Sequence, residues 1–123
     1  MEKTILIIED DTFILETIGN KFKENHFKIC LARNAEEAEK LLATTKPDII
    51  LLDLILPKVD GFEILKKIKA DLKLKSIPVV IFSNLDSTKD MDKAMELGAV
   101  EYLVKANLFP EEVVKKIETI LLK

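Results

Sequence analysis

Five short apolar segments alternate with longer amphipathic segments along this chain, and that alternation restricts the possible folds more than any other feature. The apolar segments are 4–8, 27–31, 48–52, 78–82 and 100–104. They are rich in Ile, Leu and Val, which is typical of strands buried on both faces. The segments between them carry apolar side chains at helical spacing. Repeated strand–helix units, (βα)5, predict an α/β fold: a doubly wound five-stranded parallel sheet.

Signals for helix ends occur where this fold needs them. Asn34, Asp60 and Ser87 each precede a helical segment, and their short polar side chains are typical N-caps. Gly98 lies where a helix C-terminus requires a residue that tolerates positive φ. Pro110 fits the first position of the last helix. The order of elements is therefore predicted by both periodicity and boundary residues.

Chain length and charge limit the classes of protein to which this sequence can belong. The 123 residues suffice for one domain, which we expect to span residues 1–123. A formal net charge of −3, with acids and bases interspersed, argues against direct binding to nucleic acid or to an anionic membrane surface. The single cysteine, Cys30, cannot form an intrachain disulfide. With no apolar stretch long enough for a bilayer, we expect a cytoplasmic location.

Polar side chains follow four of the five predicted strands. Glu9, Asp10 and Asp11 follow the first strand and Asp53 the third, while Ser83 follows the fourth and Lys105 the fifth. In the flavodoxin-like strand order 2-1-3-4-5, the first and third strands are central neighbours, so their acids converge at the carboxyl edge of the sheet.

One lysine cannot neutralise this many carboxylates, whereas a hard divalent cation with water and phosphate ligands can. The cluster therefore predicts a Mg2+ site for phosphate chemistry, with Asp53 as the most central carboxylate.

Most of these residues have an ordinary explanation when each is considered alone. Asp11 fits an N-cap better than a metal ligand, and Ser83 alone fits a turn residue that bonds its own backbone. Lys105 alone fits an extended surface lysine. His26 is a lone histidine that fits a structural role. The joint occurrence of complementary groups at four strand ends is what favours a functional site.

Several fragments together make the chain resemble a known family. They are "ILIIEDD", "LLDLILPKVDG" with Asp53, Pro57 and Gly61, Ser83 after "PVVIF", and "GAVEYLVK". In order and spacing they are similar to the receiver domain of bacterial two-component response regulators, of the single-domain, chemotaxis-regulator-like kind, over the entire chain.

The resemblance implies a phosphoacceptor and a metal site. Asp53 would accept a phosphoryl group from the phosphohistidine of a sensor histidine kinase or a histidine phosphotransfer protein. Asp10 and Asp53 would bind Mg2+ directly with the backbone carbonyl of Ile55, and Glu9 would act mainly through water. The metal would neutralise charge on the transferring phosphoryl group.

The resemblance also implies a switch. Lys105 and Ser83 would each contact a phosphoryl oxygen, and Tyr102 would turn inward when Ser83 moves. The surface formed by the fourth helix, fifth strand and fifth helix would then change and regulate a downstream protein target or effector. The chain would be a monomer, or a weak dimer on phosphorylation. It would catalyse only its own phosphotransfer and autodephosphorylation, and so is not an enzyme in the usual sense.

The sequence departs from the family pattern at several positions beside this site. Asn84 occupies a place that is usually small, and Ala106 a place that is usually proline, so we expect a trans Lys105–Ala106 bond and a differently arranged loop "KANLF". Ile55 and Leu85 are both apolar where polar side chains can orient a hydrolytic water. We therefore expect a long-lived phosphorylated form.

Other functions fit the sequence less well. A pseudo-receiver that acts only as a protein-interaction module has no use for the retained acids and lysine. An aspartate-nucleophile phosphatase carries its nucleophile after the first strand and needs a cap, for which 123 residues leave no room. A flavodoxin-like FMN carrier needs a phosphate-binding loop where this chain has acids.

Overall fold

A five-stranded parallel sheet forms the centre of the structure, a computed structural model that describes residues 2–122. The strand order is β2-β1-β3-β4-β5, as predicted. The strands are β1 (Thr4–Ile8), β2 (Lys28–Ala32), β3 (Ile49–Leu52), β4 (Val79–Ser83) and β5 (Glu101–Val104). The order reverses between β1 and β3, so the loops after these two strands open away from each other and leave space at the carboxyl edge.

Five α-helices connect and cover the strands. They are α1 (Thr12–Glu24), α2 (Ala35–Thr44), α3 (Gly61–Ala70), α4 (Thr88–Glu96) and α5 (Pro110–Leu121). The predicted N-caps are confirmed: Asn34, Asp60 and Ser87 each accept a backbone N–H from the first turn of the following helix. Gly98 has a φ of 110°, as its place after α4 requires, and Pro110 is the first residue of α5.

The core is divided by the sheet into two layers. Along β1, Ile5 and Ile7 face the layer built with α1 and α5, whereas Leu6 and Ile8 face the layer built with α2, α3 and α4. Successive side chains of a strand point to opposite faces, so a strand with helices on both sides must be apolar at every position. Every residue of β3 and β4 is accordingly buried, which explains the continuous apolar runs.

The strand boundaries differ slightly from the prediction. The strand predicted at 27–31 begins at Lys28, because the N–H of Phe27 bonds to Phe22 O and closes the end of α1. The strand predicted at 78–82 begins at Val79, since Pro78 has no N–H to donate. Val100 precedes β5 and is 45% exposed. Apolarity therefore located the strands, and backbone hydrogen bonding set their ends.

Across residues 2–122, no helix has the length and apolar character that crossing a membrane requires.

Candidate functional site

The end of β1 places two acids in different environments. Glu9 is 1% exposed, and its Oε2 accepts a hydrogen bond from Asp11 N–H at 3.0 Å. Asp10 is exposed to solvent. Asp11 caps α1 by accepting Ile14 N–H at 3.1 Å, which confirms its structural role. Two neighbouring acids thus point to the carboxyl edge, one from inside the protein and one from the surface.

Asp53 follows β3 and is only 5% exposed. Its N–H bonds to Ile8 O at 3.0 Å, which continues the pairing of β3 with β1 beyond the last strand residue. One carboxylate oxygen, Oδ1, accepts Ile55 N–H at 3.1 Å, and the other, Oδ2, accepts a bond from Lys105 Nζ at 2.8 Å. Both oxygens are therefore held in place, which is how the protein tolerates a carboxylate next to a buried strand.

Lys105 links the acids of two strands. Its Nζ bonds Asp53 Oδ2 at 2.8 Å and also contacts Glu9 Oε1. Its side chain is 11% exposed, and its ammonium lies 5.6 Å from the centre of the Phe82 ring. Burial lowers the pKa of Lys105, but its hydrogen bonds to Asp53 and Glu9 outweigh burial and raise that pKa overall. Lys105 therefore stays charged at neutral pH.

Lys105 does not fully offset the burial of the Glu9 negative charge. Burial raises the pKa of Glu9, and the charge of Asp53 raises it further, although Lys105 and the Asp11 N–H act in the opposite direction. The raised pKa of Glu9 means that the site carries an excess of negative charge when all of its carboxylates are ionised.

The three acids that the sequence assigned to a metal lie together. One oxygen from each of Glu9, Asp10 and Asp53 can be chosen so that all three lie within 4.8 Å of one another. Hard carboxylate oxygens on a partly open site are what Mg2+ prefers, and the incompletely neutralised charge at Glu9 is what a cation would offset. The donor set therefore fits Mg2+. Ile55 lies in the loop after Asp53 with its N–H on Asp53, while a metal contact from its carbonyl stays a prediction.

The predicted switch residues lie on neighbouring strands: Ser83 is the last residue of β4, where the sequence predicted it just after the strand, and Tyr102 is in β5. Ser83 is completely buried, and its Oγ accepts Leu85 N–H at 3.3 Å, a turn bond of the ordinary kind. The Tyr102 hydroxyl donates to Leu85 O at 2.6 Å, so Ser83 and Tyr102 contact the same residue. Burial chiefly raises the pKa of Tyr102, which keeps its hydroxyl protonated as the donor. The structure brings the two residues together at this loop, and their movement stays a prediction.

Asn84 and Ala106 form a contact that the sequence did not reveal. The Asn84 Oδ1 accepts a hydrogen bond from Ala106 N–H at 2.9 Å. The Lys105–Ala106 bond is trans, as predicted, because residues 2–122 contain no cis peptide. The segment Lys105–Asn107 forms a 3-10 turn. The only signal for this pairing was that both unusual residues lie within two residues of the ends of β4 and β5, which are neighbours in the sheet.

The sequence matches the response regulator receiver domain family over residues 5–118. It is 32% identical over 121 residues to the alkaline phosphatase synthesis transcriptional regulatory protein PhoP of Bacillus subtilis, an alignment that covers 98% of this chain and 49% of that protein. It is 33% identical to the probable transcriptional regulator ycf29 of Porphyra purpurea, with 98% and 57% covered. The chain thus spans about half the length of these relatives.

Solved structures of response regulators are also similar to this chain. A two-component response regulator from Clostridium difficile superimposes with a TM-score of 0.91 at 30% identity, covering 99% of this chain and 98% of that one. The phosphorylated cyanobacterial phytochrome response regulator RcpA superimposes with a TM-score of 0.87 at 32% identity, covering 100% and 96%.

Proposed function

This chain belongs to the response regulator receiver domains of two-component systems, and on that premise we propose that Asp53 is the residue that accepts its phosphoryl group. Receiver domains are signalling domains that are phosphorylated on an aspartate. The observation that carries the assignment to Asp53 is its place in the site: a buried carboxylate that Lys105 holds at 2.8 Å beside two further acids. We also propose that residues 1–123 form one such domain, because all five strands join a single sheet.

Phosphoryl transfer requires Asp53 to act as the nucleophile. A carboxylate oxygen attacks the phosphorus of a phosphohistidine, an O–P bond forms, the P–N bond breaks, and the leaving imidazole nitrogen takes up a proton. Lys105 is already in contact with the carboxylate, so its ammonium can pair with a phosphoryl oxygen without a large movement. Because the lysine is pre-placed, little reorganisation is needed as charge develops.

The acid cluster supports a Mg2+ ion as the cofactor of this transfer. Asp10, Asp53 and the Ile55 carbonyl would hold it, with Glu9 acting through water. When bound, Mg2+ supplies positive charge to the oxygens of the transferring phosphoryl group.

The same proposal gives Ser83 and Tyr102 the role of a switch. A serine hydroxyl can accept one hydrogen bond and donate another, so Ser83 can keep Leu85 N–H as a donor while it donates to a phosphoryl oxygen. Tyr102 already bonds the carbonyl of Leu85, so a shift of that loop moves its anchor. The surface of α4, β5 and α5 is then the part that reports phosphorylation to a partner.

Partners follow from the chemistry of the site. The donor is a sensor histidine kinase or a histidine phosphotransfer protein, which must bring a phosphohistidine to the carboxyl edge. Phe13, Ile55 and Phe109 are large apolar side chains on the loops and helix ends at that edge, and they are 78%, 55% and 72% exposed. They offer such a partner an apolar rim around Asp53.

Downstream we propose a protein target or effector, a cytoplasmic location, no direct contact of these residues with nucleic acid, and a monomer that dimerises weakly on phosphorylation.

A non-phosphorylated interaction module is the alternative, and the retained charge cluster argues against it. A scaffold gains nothing from a buried acid such as Glu9, whose pKa is raised by burial. Natural sequences keep such costly charges mainly at functional sites.

Acetyl phosphate with MgCl2, followed by intact-mass measurement, tests the proposal. The chain should gain the mass of one phosphoryl group, Asp53→Asn should gain none, and omission of MgCl2 should abolish the gain. Asp71→Asn is the matched control, because Asp71 caps the end of α3, away from the carboxyl edge. An unmodified wild-type chain would favour the interaction module, and a modified Asp53→Asn variant would show that another residue accepts the phosphoryl group.

A further inference from the structure

Asn84 comes directly after the last paired residue of β4, and Ala106 is the second residue after the last paired residue of β5. The pairing of β4 with β5 ends at Ser83 and Val104. Beyond that pair, the side-chain oxygen of Asn84 accepts a hydrogen bond from Ala106 N–H at 2.9 Å. A side-chain amide thus adds one more cross-link after the backbone ladder has ended.

The bond falls on the peptide unit that begins at Lys105. Ala106 N–H lies at the start of the 3-10 turn Lys105–Asn107, where a helical turn has no internal partner for its N–H groups. Lysine carries its ammonium on a flexible four-carbon stem. The place that Lys105 Nζ occupies therefore depends on where its backbone is held. From its present backbone position it reaches Asp53 Oδ2 at 2.8 Å.

We propose that Asn84 is a positioning residue, which anchors the Lys105–Ala106 peptide and so fixes the point from which Lys105 reaches Asp53. Asn84 acts through Lys105 and not on the phosphoryl group itself. Because Asn84 is also the residue after Ser83, the anchor joins the loop that carries the hydroxyl to the loop that carries the lysine. This inference rests on the proposed function of Asp53.

The first test removes the acceptor. In Asn84→Ala, the Ala106 amide should lose its protection from hydrogen exchange, and phosphorylation of Asp53 by acetyl phosphate and Mg2+ should slow about three- to tenfold, the factor that one ordinary hydrogen bond is worth. Asn84→Asp keeps an acceptor oxygen and should restore the protection of Ala106. Asn107→Ala removes an exposed amide side chain from the same turn and should change neither measurement.

The second test removes the donor. Ala106→Pro has no N–H and should slow phosphorylation to a similar extent, whereas Ala106→Ser keeps the N–H and should not. Adding Asn84→Ala to Ala106→Pro should cause no further loss, because the bond is already absent. A merely destabilising effect of either substitution would instead multiply in the double variant, and that outcome overturns the inference.

Failure of the inference and failure of the proposed function are distinguishable. If the wild-type chain is not phosphorylated, the proposed function is wrong, and so is the positioning role that rests on it. If the wild type is phosphorylated and Asn84→Ala reacts at the same rate, or keeps the protection of Ala106, only the positioning role is wrong.

Discussion

Gly61 offers the sharpest test of how the fold holds Asp53. It begins α3, and its N–H bonds to Leu54 O at 3.0 Å, so the loop after β3 folds back tightly on itself. A Cβ at this position would lie 2.6 Å from Asp53 O and 2.8 Å from Leu54 O, and closer still to Leu54 Cα. All three neighbours are backbone atoms, which cannot turn aside as a flexible side chain can.

The structure gives the size of the effect of Gly61→Ala. To reach an ordinary contact of 3.4 Å, the Cβ and Asp53 O must separate by about 0.8 Å. Overpacking a site that cannot relax costs about 3 kcal/mol, the upper part of the usual range. For a domain of this size that lowers the melting temperature by about 12 °C. A displacement of nearly 1 Å at a reacting group costs up to about 100-fold in rate.

Gly19→Ala is the matched control for this prediction. The Cβ added there would meet Leu31 Cδ2 at 3.2 Å, which is the end of a flexible side chain. Replacing glycine by alanine inside a helix stabilises it by up to about 1 kcal/mol, so this variant should be no less stable than the wild type. Urea unfolding gives the free energies, and acetyl phosphate labelling followed by mass gives the rates. The reasoning is wrong if Gly61→Ala unfolds at the wild-type midpoint and is phosphorylated at the wild-type rate.

Three further predictions concern the charges and the water at the site. Because the pKa of Glu9 is raised above 4.5 in the folded state, the folded chain binds the proton more tightly. The free energy of unfolding should therefore fall as pH rises above that value. Glu9→Gln should stabilise the chain at neutral pH but not below pH 4.5, as measured by urea titration. Mg2+ should abolish this gain in stability. Lys105→Met removes the cation that touches both Glu9 and Asp53, and should slow phosphorylation of Asp53 about 100-fold in the mass assay. Ile55→Asn places a polar side chain where it can orient water, and should speed loss of the phosphoryl group about fivefold, measured as phosphate release; an unchanged or slower release contradicts the idea that Ile55 prolongs the phosphorylated form.

The fold was predictable because its determinants are local or periodic. The apolar runs required strands buried on both faces, and short polar residues such as Asp60 and Ser87 marked the helix starts. The convergence of Glu9 and Asp53 at the carboxyl edge of the sheet was also predictable from the sequence, because parallel strands end on the same side. Exact boundaries did not follow, because they depend on which backbone N–H groups find partners. Phe27 is apolar and buried, yet its N–H is used by the preceding helix.

Contacts between side chains from distant parts of the chain were the least predictable. The sequence placed Lys105 near Asp53 but did not show that its ammonium also touches Glu9, which depends on the rotamers of both residues. Likewise, Asn84 and Ala106 each depart from the family pattern, and the sequence predicts no contact between them. Nothing in the order of residues states that one accepts a bond from the other.

The register of β4 and β5 gives these two departures a common physical basis. After Ser83 and Val104 the backbone ladder stops, so the next residues of each strand are held only by what their own atoms can bond. A proline at position 106 would have no N–H and would leave the Asn84 oxygen without its donor, whereas a small residue at position 84 would leave the Ala106 N–H without its acceptor. Asn84 suits this chain because residue 106 is not proline. The loss on changing both positions should therefore be smaller than the sum of the losses on changing each one alone.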